Sequence, residues 1–412
     1  MPEHLQYKEP MMPNKLRPYS FPLMMLFSII IGCITGYFMG ERALLFKPLG
    51  DIFLNLLFTA VVPLVFFSIA SAITHIAQAN KMLKIIIAMF ATFIFTGIIA
   101  ALFMIAIVKL FPPAQGMILP PGLSETIQPI HLADQIVSIF SVPDFLNLLS
   151  HNNMLPLIVF SILIGFATIA AKEKGKTFSL FLASGTAVFM QVISYIMYLA
   201  PLGFFSYFAV LAGQSGSQLI QQYLKIFIIY YVFASIYFVS AFSFYAYLAG
   251  GITSVTLYWK NNFLPMITAF ATCSSAASIP ANLQSTQAMK VSPDIYETVI
   301  PMGAMLHKDG SVLGAIIKIA FLFQIYGMPF NSPFVLLIAV VIALLVGTVM
   351  GAIPSGGMLG EMLILSFYGF PPQSLIMIAA ISIIIDPLAT MINVTGDSVC
   401  SMMVDRFLLR KS

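Results

Sequence analysis

Residues 272–280 read Thr-Cys-Ser-Ser-Ala-Ala-Ser-Ile-Pro and interrupt an apolar segment that extends from 263 to 289. A second apolar segment, 333–368, is interrupted by Gly-Ala-Ile-Pro-Ser-Gly-Gly at 351–357. Because hydrocarbon cannot satisfy the free backbone groups of an interrupted helix, each segment is predicted to be a re-entrant hairpin buried in protein. Two such hairpins in corresponding positions are typical of secondary transporters, which bind their substrates near the membrane midplane.

The composition of the whole chain agrees with a membrane location. Of 412 residues, 60% are hydrophobic and only 8% are charged, whereas soluble proteins carry about 25% charged residues. Several stretches without Asp, Glu, Lys or Arg exceed the length of about 20 residues that spans a bilayer; among them are 52–80, 85–108, 177–224, 226–259, 319–360 and 362–385. The composition excludes a soluble enzyme and predicts an all-α polytopic membrane protein.

Charge and cysteine content exclude other classes. The formal net charge is only +4, and no block of Lys and Arg suggests binding to nucleic acid. Cys33, Cys273 and Cys400 have neither CxxC nor Cys/His spacing, so no zinc site, disulfide framework or other cofactor is expected. Residues 1–19 are polar, and no small-residue cleavage site follows them, which predicts a retained first span rather than a signal peptide.

The distribution of basic residues predicts the topology. They precede span one (20–40) or lie between spans two and three, between four and five, and after six; they are Lys8, Lys15, Arg17, Lys81, Lys84, Lys172, Lys174, Lys176 and Lys260. The connection at 112–153 has no Lys or Arg. Since cytoplasmic loops are enriched in Lys and Arg, both termini are predicted to be cytoplasmic and this connection extracellular.

Eight transmembrane helices and two hairpins account for the chain. The predicted parts are the cytoplasmic amino terminus (1–19), spans one and two (20–75), span three (82–111), the extracellular connection (112–153), spans four and five (154–212), and a carboxyl-terminal part (222–412). After span six, that last part contains the first hairpin (263–289), span seven (296–325), the second hairpin (333–368) and span eight (372–409).

Span eight carries a polar stripe. Asp386, Thr390, Asn393 and Asp397 are separated by four, three and four residues, which places them on one helical face. Each charge at the centre of a span costs on the order of 2.5–3.5 kcal/mol. The two carboxylates therefore require a cation, a polar cavity or both. The alternative is static pairing with a lysine, which Lys308 or Lys318 would provide.

Span seven is predicted to unwind at His307-Lys-Asp-Gly-Ser311, because a glycine follows two adjacent charged residues. Unwound backbone presents carbonyl groups beside the Asp309 carboxylate, and hard cations prefer such oxygen ligands. A local ion pair between Lys308 and Asp309 is the alternative. His307 is interpreted either as a proton carrier or as a core histidine with its hydrogen bonds satisfied.

Both hairpins contain further candidate residues. Ser274, Ser275 and Ser278 offer hydroxyl and backbone N–H groups that can bind a carboxylate, or they merely cap the second helix of the hairpin. The glycines at 351, 356 and 357 fit either a flexible gate or a tight turn. Glu361 would either carry a proton or pair with Lys318.

These elements together resemble the glutamate-transporter family, the dicarboxylate/amino acid:cation symporters. The motifs that carry the resemblance are Ser278-Ile-Pro280, Asp309-Gly-Ser311, the glycines around Pro354, Asn393-Val-Thr-Gly-Asp397, Val62-Pro-Leu-Val-Phe66, Leu155-Pro156 and Ala200-Pro-Leu-Gly203. No single motif is specific, but their order covers nearly the whole chain. The resemblance implies inverted repeats and a homotrimer in a bacterial inner membrane. It also implies an elevator mechanism, in which spans one, two, four and five form a scaffold, the rest moves, and the second hairpin is the extracellular gate.

The resemblance also implies a substrate site. Asp386 would bind the amino group of an amino acid, and the other predicted contacts are Ser274, Ser275, Ser311, Ile353, Gly357, Thr390 and Asn393. In carriers of acidic amino acids, an arginine of span eight binds the second carboxylate through two parallel hydrogen bonds. That position is Ala389 here, and the alternative arginine position is Cys273. Unless Lys308 pairs with the second carboxylate instead, a neutral amino acid is therefore the expected substrate.

Cation coupling is predicted to differ from that of the family. One implied sodium site uses Asp397, Asn393, Gly303 and an asparagine that is His307 here. A second uses Asp309 and Thr96, with Phe93 and Gly97 where polar groups are expected. A third surrounds a methionine that is Lys308 here. An ammonium about 4 Å from a cation would cost roughly 4 kcal/mol at an effective dielectric constant of about 20.

At least one sodium site is therefore expected to be lost, with the Lys308 ammonium in place of a bound sodium ion. Uptake would be independent of sodium or coupled to protons through His307, Glu361 or another acidic residue. If the Lys308 side chain points away, ordinary sodium symport survives.

Three other functions remain open from the sequence. The first is a sodium-coupled carrier of an acidic amino acid or dicarboxylate. The second is an intramembrane hydrolase with paired aspartates or with Ser355 and His307, although no Gly-x-Gly-Asp element is present. The third is a passive channel, which would not accumulate its substrate.

Overall fold

The computed structural model describes residues 20–76, 83–114, 141–150, 153–215, 217–349 and 357–409. In these ranges the chain forms helices and no strand, as the all-α prediction requires. The first eight helices are α1 (Ser20–Met39), α2 (Lys47–Ile76), α3 (Leu83–Leu110), α4 (Phe145–Leu148), α5 (Met154–Ala170), α6 (Lys176–Met197), α7 (Ala200–Ser215) and α8 (Ser217–Asn261). They are followed by α9 (Phe263–Thr272), α10 (Ser275–Ala288), α11 (Pro293–Leu306), α12 (Asp309–Ile325), α13 (Pro333–Val349), α14 (Gly357–Tyr368) and α15 (Ser374–Leu409).

Several helices are suited to a membrane. Among the described residues, five helical segments are long and apolar enough to cross one: Met24–Ser71, Lys84–Leu110, Lys172–Met197, Gln221–Asn261 and Ser374–Leu408. The first of them comprises α1, α2 and the short 3₁₀ turn Gly40–Phe46 that joins them. Shorter apolar helices are Pro156–Ala170, Phe263–Thr272 and Pro333–Thr348. A polytopic membrane protein is thus supported, and the exact number of eight spans stays a prediction.

The charged residues of α12 lie inside the helix bundle. All residues of α12 except Gln324 are buried, including Asp309 and Lys318. Large apolar side chains such as Phe38 and Leu45 are exposed instead. This arrangement suits a lipid environment, in which apolar groups face outward and ionisable groups face the protein interior.

Two groups of helices pack together. The first comprises α1, α2, α5, α6 and α7, and the second comprises α3 and α8 to α15. Glycines permit the closest approach in the first group: a Cβ atom at Gly36 of α1 would overlap the carbonyl group of Ala209 in α7. The assignment of the two groups to a scaffold and a moving unit stays a prediction.

Two helix breaks differ from the sequence prediction. The interval 154–212, in which two spans were predicted, contains three helices, because α6 ends at Met197 and α7 begins at Ala200. Pro201 follows at the start of α7, where the missing N–H costs no helical hydrogen bond. Helix α8 is broken at Gly250 and Gly251, and Gly251 has a φ of +71°, a conformation that favours glycine.

Candidate functional site

The tip of the first hairpin, formed by α9 and α10, contains the predicted serines. Cys273 ends α9 in a left-handed conformation, and Ser274 is the N-cap of α10, where its hydroxyl accepts the N–H of Ala277 at 3.2 Å. The Ser278 hydroxyl donates to the Ser274 carbonyl at 2.9 Å. Ser274 therefore has the capping role, and Ser278 bonds back to the preceding turn. The Ser275 hydroxyl instead accepts a hydrogen bond from Lys308 at 3.0 Å.

The helix of span seven is interrupted at His307 and Lys308. Helix α11 ends at Leu306, both residues have non-helical backbone angles, and α12 begins at Asp309. Gly310 then packs against α15, because a Cβ atom there would lie 2.8 Å from the Cα atom of Ala389. The interruption directs the side chains of His307 and Lys308 in two different directions.

The polar stripe of span eight lies on the continuous helix α15. The Thr390 hydroxyl donates to the Asp386 carboxylate at 3.0 Å. Asn393 forms two hydrogen bonds with Ser311: its side-chain oxygen accepts the Ser311 N–H at 3.2 Å, and its amide donates to the Ser311 hydroxyl at 3.1 Å. Within the described part of the chain, Asp386 forms no ion pair. Its charge is therefore not neutralised by either lysine.

His307 lies between the two other carboxylates. Its Nδ1 atom is 3.0 Å from Asp397 Oδ1, and its Nε2 atom is 3.2 Å from Asp309 Oδ1 and 2.9 Å from the Thr96 hydroxyl. Neutral imidazole carries one N–H group and imidazolium carries two. Only the imidazolium form donates to both carboxylates, so the geometry fits a positive charge at this position.

The surroundings of His307 reinforce this arrangement. The Phe93 ring stacks on the imidazole with ring centroids 4.5 Å apart and an interplanar angle of 20°, a geometry that favours a cation. A Cβ atom at Gly303 would overlap the Asp397 carboxylate, so a larger residue there would displace this carboxylate. Gly97 lies near Asp309 on the other side. Phe93, Gly97 and His307 are three of the positions at which the resemblance implies other residues, and they thus lie in one cluster.

Lys308 points away from the His307 cluster. Its Nζ atom donates to the Ser275 hydroxyl and to the Ala304 carbonyl, each at 3.0 Å, and forms no ion pair with a described residue. That its ammonium stands in place of a bound sodium ion stays a prediction, and the position between Asp309 and Asp397 is filled by the His307 imidazole. The proposed local pair between Lys308 and Asp309 is not formed.

Glu361 and Lys318 are paired with each other. The Lys318 ammonium lies 2.8 Å from Glu361 Oε1 and 2.6 Å from the Ser382 hydroxyl, which in turn donates to Glu361. Glu361 is fully buried, and its Oε2 atom has no hydrogen-bond partner among the described residues. The three residues connect α12, α14 and α15.

Tyr237 is a residue of the site that no sequence motif predicted. The Tyr237 hydroxyl of α8 donates to Asp309 Oδ2 at 3.1 Å and lies 3.2 Å from the hydroxyl of Tyr245. Tyr223 and Tyr230 bind the carbonyl groups of Met377 and Gly310. The signal was the spacing of seven residues between Tyr223, Tyr230 and Tyr237, which places three hydroxyl groups on one face of an apolar helix.

Some predicted positions lie outside the described residues. The tip of the second hairpin, 350–356, is one such segment, and it includes Ile353, Pro354 and Ser355. Gly357 is the first residue of α14. Residues 1–19 and most of the 112–153 connection are also outside the described ranges.

An apolar cavity of about 600 Å³ adjoins the first hairpin. Its walls come from α1, α8, α9 and α15 and include Phe270, Cys273, Pro387 and Met391. Cys273 and Pro387 are adjacent in the chain to Ser274 and Asp386. The lining of the cavity accommodates hydrocarbon rather than charge.

Apolar helices surround buried charged residues that lie at helix interruptions. This arrangement is typical of a membrane transporter. The chain belongs to the sodium:dicarboxylate symporter family, whose model matches residues 21–407. The resemblance predicted from the motifs is therefore confirmed, and members of this family are symporters rather than enzymes. This membership excludes the hydrolase alternative.

Characterised relatives are similar over most of their length. The chain is 26% identical to the proton/sodium-glutamate symport protein of Bacillus subtilis (strain 168) over 395 residues, 92% of this chain and 90% of the relative. It is 25% identical to the protein of the same name from Geobacillus stearothermophilus, with 92% and 93% coverage. It is 24% identical to C4-dicarboxylate transport protein 2 of Bradyrhizobium sp. (strain ORS 278), with 74% and 69% coverage.

Proposed function

We propose that this protein is a secondary transporter that imports a neutral amino acid across a bacterial inner membrane, with cation coupling altered from sodium symport. One observation carries the proposal: the candidate site has a carboxylate without an ionic partner, Asp386, and no guanidinium group to bind a second substrate carboxylate. A primary amine needs an anion, and C4-dicarboxylates have no amine that would require Asp386.

The two implied arginine positions support a neutral side chain. Ala389 is buried, and its backbone packs directly against Gly310. Its side chain offers only a methyl group where the resemblance implies an arginine. Cys273 lines the apolar cavity instead of contributing a charge. A hydrocarbon or small polar side chain fits this surface, whereas a carboxylate placed there would lose its hydration without gaining a cation.

The His307 cluster supports altered coupling. Hard cations take oxygen ligands, but the groups between Asp309 and Asp397 are imidazole nitrogens and an aromatic ring. A sodium ion about 4 Å from an imidazolium would cost roughly 4 kcal/mol at an effective dielectric constant of about 20. Transport is therefore independent of sodium at this position, and protons are the alternative coupling ion.

The rest of the mechanism follows the family pattern. In the proposal, eight spans and two re-entrant hairpins form inverted repeats, three copies assemble as a homotrimer, and both termini are cytoplasmic. The helices that pack around α12 and α15 move as an elevator against the others. The second hairpin is the extracellular gate.

The test is uptake by proteoliposomes of a panel of radiolabelled neutral amino acids, glutamate, aspartate and succinate. Each is measured with sodium, with choline in place of sodium, and with an imposed pH gradient. We expect accumulation of a neutral amino acid without sodium, and its loss in the Asp386→Ala variant. A preference for glutamate or succinate would contradict the substrate proposal, and an absolute requirement for sodium would contradict the coupling proposal. Equilibration without accumulation would indicate a channel.

A sodium- or proton-coupled carrier of glutamate or a C4-dicarboxylate is the second candidate. The relatives favour it, because they are named as proteins that transport glutamate or C4-dicarboxylates. The buried Lys308 ammonium also favours it, because this cation would pair with a second carboxylate. Competition by unlabelled succinate separates the two candidates, since a site built for a zwitterion binds it weakly.

A further inference from the structure

Lys308 is a buried cation that forms no ion pair with a described residue. Its side chain is only 6% exposed, and its acceptors are a hydroxyl and a carbonyl group. The other buried basic residues in the described part of the chain differ, because Lys318 pairs with Glu361 and His307 contacts two aspartates. An ammonium group has three N–H donors, of which Lys308 uses two.

A buried ammonium group without an ionic partner costs free energy unless a ligand neutralises it. A buried ion requires a partner of opposite charge together with good hydrogen bonds. A carboxylate supplies both, and hydrogen bonds between charged groups are about twice as strong as those between neutral ones. The third N–H of Lys308 and the hydroxyl of Ser275 would donate to the same carboxylate.

The opposite charge is on α15. Asp386 accepts one hydrogen bond, from Thr390, and forms no ion pair with a described residue. The site thus contains one cation and one anion that lack ionic partners, the first at the interruption before α12 and the second on α15. An α-amino acid has the complementary pair of charges.

We propose that Lys308 binds the α-carboxylate of the substrate and, with Asp386, forms a two-charge clamp for a zwitterion. The inference rests on the proposed function and deepens it, since it assigns the carboxylate of the substrate to a named side chain. In this proposal, the Lys308 ammonium determines which substrates the protein selects. Amino-acid amides and dicarboxylates each lack one of the two required charges.

The test compares the amino acid that the panel selects with its α-carboxamide, which keeps the ammonium group and side chain but has no carboxylate charge. Inhibition of uptake is measured for wild type, Lys308→Met and Lys308→Arg, with Lys290→Met at an exposed lysine as the matched control. We expect wild type and the control to bind the amide at least 100-fold more weakly than the acid. Lys308→Met should weaken binding of the acid by 10- to 100-fold and of the amide much less. Lys308→Arg should retain most of the discrimination.

Two further arms keep the outcome unambiguous. Ser275→Ala removes a hydrogen bond but keeps the cation, so its ratio of acid to amide affinity should stay large. If Lys308→Met does not fold, Lys308→Gln replaces it, because glutamine keeps a donor for Ser275. An unchanged ratio in the neutral variants would overturn the clamp while neutral amino-acid uptake still supports the proposed function. Selective loss of succinate binding would overturn the clamp by assigning Lys308 to a second carboxylate.

Discussion

The imidazole of His307 has a carboxylate on each side and an aromatic ring on its face. The two aspartates come from α12 and α15, and the ring of Phe93 comes from α3. The resemblance implies a polar residue at the position of Phe93 and an asparagine at the position of His307. The two residues that this chain has instead are in direct contact. In the proposed mechanism, the chain itself supplies the cation between these two carboxylates.

His307→Asn should restore the residue that the family pattern has at this position. The variant removes the internal cation and leaves Asp309 and Asp397 with a gap that an external cation can neutralise. We expect uptake to become stimulated by sodium, measured as the ratio of initial rates in sodium and in choline. Wild type and Cys400→Ser, which alters a neighbour of the imidazole without removing its charge, serve as controls. An identical ratio in wild type and His307→Asn would contradict the internal-cation interpretation.

Helices α12, α14 and α15 are connected by a buried ion pair. Lys318 and Glu361 are separated by 43 residues in the chain, and the Ser382 hydroxyl contacts both. Since α14 belongs to the second hairpin, the pair attaches one half of the predicted gate to the two central helices.

Lys318→Met and Glu361→Gln should each destabilise the protein by about 3–5 kcal/mol, because each leaves an uncompensated buried charge. The double variant Lys318→Met, Glu361→Met should recover most of this loss, since an apolar pair of similar volume replaces the ions. Thermal unfolding of the purified protein in detergent measures both effects. Single variants as stable as wild type would show that the pair contributes nothing to the packing of the hairpin.

The charges of the site and of the Lys318–Glu361 pair are unequal in number in the described part of the molecule. The cations of this set are His307, Lys308 and Lys318, and the anions are Asp309, Glu361, Asp386 and Asp397. Three positive and four negative charges leave a net charge of −1. A zwitterion does not alter this value, whereas one proton or monovalent cation makes the loaded unit neutral.

Uptake should therefore carry one positive charge inward with each substrate molecule. A potential of 100 mV corresponds to about 2.3 kcal/mol for each elementary charge that crosses the membrane. We expect an inside-negative potential, set by potassium and valinomycin at equal pH on both sides, to increase the initial rate of uptake. An inside-positive potential should decrease it. A rate that is independent of potential would mean that no net charge moves with the substrate.

The amino-acid sequence by itself determined the class of the protein and the positions of its interruptions. Hydrophobic runs, charged residues within them, and glycine and proline at breaks are local properties, so the hairpin tip at Cys273, the interruption at Lys308 and the polar stripe of α15 could be predicted. The absence of arginine at Ala389 could be read in the same way. Only the tertiary structure decided which cation meets which anion. Thr96 contacts Asp309 across 213 residues, and His307 contacts Asp397 across 90. Such pairings depend on the direction in which each side chain leaves its helix and on how the helices pack. For this reason His307 rather than Lys308 lies between the carboxylates, Lys318 pairs with Glu361, and Tyr237 reaches Asp309.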